Sequence, residues 1–415
     1  MKRLIIALIL TAAATGTVFG EIRTVTDAGN TFAVELYGSL SATEGNLFFS
    51  PASIHTALGM TYAGAGSRTR TQMSEVLHFE KADHNIHGEF AALLESLNSP
   101  RMIPACEMVG GQPRQIEIPA YQLVIANALW GQTCYPWKRD FLNLTSECYG
   151  AGLHEVDFAE HTEAARKTIN SWVEEKTHDR IKELIARGIL DVLTRLVLTN
   201  AIYFKADWAI PFSDRMTEDK PFHVSVSKQI LTPMMFRKDN FRYMETDQFQ
   251  VLDMPYKARE LSMVVFLPKK TDGLGAFEGS LTPERLSVWL EKLDDEKVEV
   301  SFPRFEFTSS FALARVLESM GMKDAFSPEL ADFSGMTTME EVYISDVLHK
   351  AFVAVDEKGT EAAAATAVII AAKSMPVKEP DPKIFRADHP FLFMIRHNTS
   401  GAILFMGRVM NPELD

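Results

Sequence analysis

Ala351-Phe352-Val353-Ala354-Val355-Asp356-Glu357-Lys358-Gly359-Thr360-Glu361-Ala362-Ala363-Ala364-Ala365-Thr366-Ala367-Val368-Ile369-Ile370-Ala371-Ala372-Lys373-Ser374 is the stretch whose reading decides the fold. Propensity alone makes its second half a helix, because Ala is the best helix former. The flanks argue otherwise. Ala351 to Asp356 is a short apolar run with β-branched residues and reads as a buried strand. Gly359 punctuates the chain, since Gly allows backbone angles that other residues resist. Pro376, Pro380 and Pro382 follow, and no helix continues through them. A long small-residue segment is left between a strand and a proline-rich return. Taken alone, it reads as an Ala-rich helix or linker; in context, as an exposed loop or a strand waiting to pair.

The 415 residues are 46% apolar and 23% charged, which fits an ordinary globular protein. The formal charge is -13, or -15 once a leader containing Lys2 and Arg3 is removed. That balance disfavours nucleic acid and anionic membrane as partners. Residues 1–20 read as a secretory signal: Lys2 and Arg3 form the positive end, Leu4 to Leu10 is almost wholly apolar, and Val18 and Gly20 suit cleavage before Glu21. The apolar run is too short to span a membrane. The expectation is a soluble exported protein, extracellular or, in a bacterium, periplasmic. Cys106, Cys134 and Cys148 are an odd set without a Cys-x-x-Cys, so at least one thiol is unpaired or intermolecular.

Outward from the opening stretch, Phe32, Leu36 and Leu40 recur at helical spacing. Asn46 to Phe49 reads as a strand that breaks at Pro51 into a helix running to Tyr62. Thr69 to Leu77 and Ile86 to Leu97 read as further helices. Ser99 to Ala120, with Pro100, Pro104, Pro113, Pro119 and Gly110-Gly111, reads as a surface loop. Its Arg101 and Arg114 are too few to support a polyanion site. Tyr121 to Trp130 reads as a strand, Glu163 to Ile185 as one or two helices, and Leu193 to Phe204 as β-rich. Leu261 to Leu267 lacks alternation, which implies burial on both faces. In Val298 to Phe307 the apolar parity switches across Pro303, as a bulge or kink would cause. Phe391 to Ile395 and Ile403 to Met406 read as buried strands. Helices dominate the first half and strands the second, an α+β order with no internal repeat and no linker between domains.

Enzyme chemistry finds little support. There is no Gly-x-Ser-x-Gly, no His-Glu-x-x-His, no phosphate-binding Gly-Lys loop and no dinucleotide fingerprint. His84 and His87 read as solvated surface histidines rather than metal ligands. No cofactor or metal is expected, and the chain does not read as an enzyme.

Phe385-Arg386-Ala387-Asp388-His389-Pro390-Phe391-Leu392-Phe393-Met394-Ile395, followed by Ile403-Leu404-Phe405-Met406-Gly407-Arg408-Val409, closely resembles the signature of the serpin family. Asn46 to Ser53, Thr199 to Trp208, Met254-Pro255-Tyr256 with Leu261-Ser262-Met263, and His349-Lys350-Ala351 fall in the family's order, so the resemblance covers residues 25–412. The proline-rich segment around Cys106 is the main departure. The resemblance implies a serpin domain over residues 21–415, with about nine helices, three β-sheets and an exposed reactive-centre loop at about 357–380. It also implies the function of an inhibitory serpin, a suicide substrate of a serine protease. Cleavage of the loop gives an acyl-enzyme, and the loop then inserts into the large sheet and carries the protease across the molecule. A non-inhibitory serpin, used for binding, transport or chaperoning, is the alternative.

By match to the family, the reactive bond is Lys373–Ser374, and the hinge is Glu357, Gly359, Thr360, Glu361, Ala362, Ala363, Ala364 and Ala365. Ser50, Ser53, Asn200 and His349 resemble the polar cluster where the sheet opens. Trp208 and Arg304 resemble the site where the loop first enters, with a Glu357–Arg304 ion pair expected. Physical chemistry supports insertion. Counting by twos, the inward set Thr360, Ala362, Ala364, Thr366, Val368, Ile370 and Ala372 is small or apolar, while Glu361 falls on the outward set. Thr360 to Lys373 spans about 46 Å when extended. A Lys at the scissile position suits a trypsin-like target; cleavage one residue earlier, after Ala372, would suit an elastase-like one. The expected partner is a serine protease met by a monomer.

Overall fold

The computed structural model of the chain describes residues 11–81, 85–109, 112–338, 342–361 and 381–413. Within them the architecture is α+β, with nine α-helices and three β-sheets. The continuous apolar runs build a nine-stranded sheet. Leu261–Pro268 is buried along its whole length and pairs antiparallel with Phe249–Pro255 on one side and Phe391–His397 on the other. Ile403–Val409 and Leu47–Phe49 extend it. Both faces are covered, so no polar alternation is needed. On one face Phe266 meets Phe277 and Trp289, with ring centroids 5.7 and 6.2 Å apart. On the other, Phe405 meets Phe204 at 5.4 Å and Phe393 meets Phe305 at 5.5 Å, which joins this sheet to the second one.

The second sheet has six strands, in spatial order Phe305–Ala312, Ile344–Val355, Gly359–Thr360, Leu196–Asp207, Tyr121–Gln132 and Leu153–Val156. In its middle, Ile344–Val355 and Leu196–Asp207 run parallel and pair directly from Ile344/Leu196 to Ala351/Ile202. A parallel pair has slanted bonds and holds slightly less per residue than an antiparallel one. Above Ala351 the two strands part, and Gly359–Thr360 lies between them, antiparallel to both. The helix Pro51–Tyr62 packs against Leu196–Asp207 and Ile403–Val409. Ser50 caps it by accepting from the Ser53 N–H, and Pro51 fills the first turn, where its missing N–H costs nothing.

Four expectations change. Ser99 to Ala120 is not a loop but contains a β-hairpin, in which Met102–Val109 pairs antiparallel with Gln112–Pro119 along its full length. A two-stranded ribbon has two open edges, so its prolines can sit where no ladder bond is lost. The parity switch at Pro303 is not a bulge in one strand. Asp294–Pro303 belongs to the nine-stranded sheet and Phe305–Ala312 to the six-stranded one, so the core changes side as the chain crosses at Arg304. The helix expected to reach Ile185 spans Phe158–Lys176. Beyond it, His178 and Asp179 have left-handed backbone, which cannot continue a helix. Finally, Thr11–Leu40 is one helix that runs through Val18, Gly20 and Glu21.

Candidate functional site

The centre of the parallel seam is polar and buried. Asn200 and His349 lie opposite each other in the register and are hydrogen-bonded through Asn200 Oδ1 and His349 Nδ1. His349 Nε2 accepts the Ser50 N–H at 3.0 Å, so the proton sits on Nδ1, which donates to Asn200. Burial pushes the imidazole pKa down to about 3, and the ring is neutral. Asn200 Nδ2 donates to Ser53 Oγ at 2.7 Å and to Asn127 Oδ1 at 2.6 Å, and Ser53 Oγ donates to Asn127 Oδ1 at 2.9 Å. Ser50 Oγ donates to the Leu404 carbonyl at 2.6 Å. Ser50, Ser53, Asn200 and His349 have no measurable exposure, and each polar atom named finds a partner. The network joins the seam to the helix behind it and to the strand Tyr121–Gln132.

At the upper end, the Gly359–Thr360 strand is clasped on every side. A Cβ at Gly359 would stand 2.1 Å from the Ala206 carbonyl oxygen, so only glycine fits this approach. The Thr360 hydroxyl lies 2.7 Å from Tyr256 Oη, in a pocket where both residues are buried. Tyr256 stacks on Trp208 with centroids 4.6 Å apart, and Trp208 Nε1 donates to the Asp356 carbonyl at 3.0 Å. Arg304 Nε donates to both Glu357 carboxylate oxygens, at 2.8 and 2.7 Å, and Thr217 donates to the same carboxylate. Burial works to raise the Glu357 carboxyl, but the hydrogen bonds from Arg304 and Thr217 outweigh it and hold the pKa below its ordinary value. Next in the chain, Glu361 donates its N–H to the Ala354 carbonyl at 2.9 Å, then turns with φ +49°. Its carboxylate accepts from Arg180 Nε at 2.6 Å.

This geometry describes a sheet with one unfinished strand, and the comparisons name it. The family described as Serpin (serine protease inhibitor) matches residues 27–412. The chain belongs to the serpin family. An uncharacterized serpin-like protein of Thermococcus kodakarensis is 42% identical over 95% of this chain and 87% of that protein. The human leukocyte elastase inhibitor is 40% identical over 94% of this chain and 99% of its own length. Uncleaved ovalbumin superposes with a TM-score of 0.81 at 29% identity, over 94% of this serpin and 100% of that chain. Human thyroxine-binding globulin, in complex with its ligand, superposes with a TM-score of 0.81 at 30% identity, over 94% and 99%. The family and the inhibitor relatives support protease inhibition.

The relatives correct the expectation of export. The human leukocyte elastase inhibitor is matched over 99% of its own length, which leaves no room for a leader of about 15–30 residues. In this serpin the helix Thr11–Leu40 passes through the expected cleavage point without a break. Ala12, Ala13 and Ala14, small residues that fit the approach to a processing site, are also good helix formers, which is how the misreading arose. The extracellular or periplasmic assignment is withdrawn.

The sequence-predicted residues fall into two groups in space. Ser50, Ser53, Asn200 and His349 converge at mid-seam; Trp208, Arg304, Glu357, Gly359, Thr360 and Glu361 surround the upper end. Ala362, Ala363, Ala364, Ala365, Lys373 and Ser374 lie outside the described residues. Asn127, Tyr256, Thr217 and Arg180 were missed as site residues, because each is brought in by tertiary contact from a distant strand or loop. Tyr256 alone had a signal, the Met254-Pro255-Tyr256 motif. His87 is not solvated: it is partly buried, its Nδ1 lies 2.6 Å from Tyr149 Oη, and burial lowers its pKa to about 4. Among the described residues, Asp157, Glu160 and His161 form a group with metal-ligand spacing, but Asp157 caps the helix Phe158–Lys176 and Glu160 and His161 lie in its first turn. Cys106, Cys134 and Cys148 are all free thiols.

Proposed function

We propose that this serpin is a suicide-substrate inhibitor whose reactive loop becomes the missing strand. The serine Oγ of the protease attacks the Lys373 carbonyl, and the Lys373–Ser374 C–N bond breaks. Ser374 leaves as an amine that takes the proton of the protease serine, and the protease stays esterified to Lys373. The freed segment then enters the sheet from Thr360 downward, before water hydrolyses the ester. The inhibitor is consumed rather than turned over. One molecule suffices, because strand and seam belong to the same chain.

The observation that carries this reading is a register. Six residues beyond Thr360 is Thr366; six before Ala206 is Asn200; six before Val355 is His349. Asn200 and His349 already face each other in the closed seam. One inserted strand therefore fits both neighbours without a slip, and its inward set keeps the parity of Thr360. Thr366 supplies a hydroxyl, donor and acceptor at once, where the Asn200–His349 bond is lost. Insertion also replaces one parallel ladder by two antiparallel ones. In this account the mid-seam cluster is the catch that opens, Trp208, Arg304 and Glu357 fix the point of insertion, and Gly359 to Ala365 form the hinge.

Lys373 supports a trypsin-like target. A second reading, cleavage after Ala372 by an elastase-like protease, is favoured by the relatives named leukocyte elastase inhibitor. Mixing the serpin with trypsin and with elastase separates them. An SDS-stable adduct with trypsin, with the C-terminal peptide beginning at Ser374, is expected; a peptide beginning at Lys373 would move the bond. Cleavage by both without an adduct would overturn inhibition in favour of a binding, transport or chaperone role. Thr360→Arg should convert the inhibitor to a substrate, since Thr360 is buried against Tyr256 and a buried charge costs several kcal/mol unless paired. Full trapping by that variant would refute the insertion argument.

A further inference from the structure

We infer that a charged pocket on the nine-stranded sheet binds a small oxyanion, a carboxylate or a phosphate or sulfate group, through Arg396 and Arg259. The pocket has a volume of about 230 Å³, and its lining includes Arg242, Asp253, Arg259, Ser262, Arg396 and Asn398. That is room for a small ion rather than for a drug-sized ligand. None of these residues belongs to the mid-seam cluster or to the clasp around Gly359–Thr360.

The register of the sheet assembles the pocket. Arg242, on the strand Gln229–Glu245, faces Asp253; Asp253 faces Val264; and Ser262, two residues from Val264, faces Arg396. Side chains alternate along a strand, so Arg242, Asp253, Ser262 and Arg396 share one face with Phe266. Phe266 is covered by Phe277 and Trp289, whereas the other end of the same face carries charge. Arg259 comes from the turn that precedes Leu261–Pro268. Its N–H donates to the Tyr256 carbonyl at 3.0 Å, and its own carbonyl accepts from Asn398 Nδ2 at 2.9 Å. Asn398 Nδ2 also donates to Ser262 Oγ at 2.9 Å. The turn is fixed before any ligand arrives, which lowers the cost of binding.

The charges do not balance where Arg396 stands. Arg242 has an acid in register on each side, Asp253 and Asp295, and lies 3.8 Å from the Asp253 carboxylate. Arg396 Nε is buried and finds no partner among the described residues. Burial pulls the Arg396 pKa down, and the attraction of Asp253 does not offset it. Three guanidiniums share two carboxylates here, and the uncompensated donor is on Arg396. A buried cationic donor without an acceptor is costly. An oxyanion supplies both an acceptor and the opposite charge. The planar guanidinium presents paired N–H groups that match two oxygens of a carboxylate or a phosphate, which sets the ligand class.

Isothermal titration with inorganic phosphate, at an ionic strength held constant with sodium chloride, tests the site. The parent should bind a single phosphate saturably. Arg396→Gln and Arg259→Gln should each weaken binding about tenfold or more, since each removes charge-assisted hydrogen bonds. Arg114→Gln, exposed in the hairpin, should change it by less than about twofold. Sulfate and acetate as competitors tell a tetrahedral oxyanion from a carboxylate. No saturable binding of phosphate, sulfate or acetate overturns the assignment, as does equal affinity in the parent and Arg396→Gln. Thermal unfolding without added phosphate gives an independent readout. Arg396→Gln should keep or raise the midpoint, because it removes a buried charge that no protein group satisfies. A lowered midpoint would mean that the protein itself holds Arg396, and the assignment would fail.

Discussion

The central strands of the nine-stranded sheet are held by apolar contacts on both faces, while the six-stranded sheet keeps a parallel seam in its middle and bridges it with buried hydrogen bonds. Leu261–Pro268 is paired on both sides, and its one polar side chain, Ser262, accepts from Asn398 Nδ2 at 2.9 Å near the strand's end rather than at its centre. Between Ile344–Val355 and Leu196–Asp207 the bridging side chains are an amide and an imidazole, backed by hydroxyls. Apolar packing is non-directional and would have to be lost wholesale to admit a strand. A hydrogen bond is directional, fixes one register while closed, and can be re-formed with a new partner at nearly the same net free energy. Under the proposed mechanism, the contrast teaches why the sheet that opens is the one with the polar centre.

The largest test of that contrast is in the sheet that should not change. Phe266→Ala removes a ring packed on Phe277 and Trp289 and should destabilise uncleaved and loop-cleaved forms alike by about 3–5 kcal/mol in urea unfolding. An effect confined to one form would erase the distinction between the sheets. Asn200→Ala should cost less, about 1–3 kcal/mol, by stranding the His349 Nδ1–H. Here the two forms should differ: the cleaved form loses less, because Thr366 can accept that proton. Equal losses would place the opening elsewhere.

A gradual effect, spread over several pH units, is the slope of stability with pH. His349 and His55 are fully buried, with pKa values pushed down to about 3 and about 4 by desolvation. Unfolding lets both regain an ordinary pKa near 6.5 and take up protons, so their neutral burial favours the fold fully only above that pH. Stability should fall on acidification from about pH 6.5 toward pH 4, by up to about 1.4 kcal/mol per pH unit for each ring. Replacing His349 by Gln should flatten the slope by its share. A slope unchanged in that variant would mean the ring does not titrate as a buried neutral group.

Much of this was legible before the structure. The break at Gly359 was legible because a glycine follows a β-branched strand, and the meeting of the mid-seam four because the family motif carries them, while Ala362 to Ala365 lie outside the described residues. Asn127 was not, because nothing local in Tyr121–Gln132 says which polar residue faces the helix behind it. The Ser99 to Ala120 segment was misread through its prolines, although Gly110-Gly111 between two eight-residue runs is itself a hairpin signal. Pro303 was read as a local kink because one chain cannot report that its two halves join different sheets. Glu361 was expected to face outward in a strand; its left-handed turn and its bond to Arg180 depend on a loop some 180 residues away.

The central claim is that the loop of this serpin is a strand in waiting. Cutting it between residues 362 and 373 with a metalloprotease, which forms no acyl intermediate, isolates insertion from trapping. Thermal unfolding of the intact and cut protein is the decisive measurement. Two new antiparallel ladders along the seam should raise the midpoint by about 20 °C or more. An unchanged midpoint would mean that the cut loop stays out of the sheet, and the account of this molecule as an insertion-driven inhibitor would be wrong.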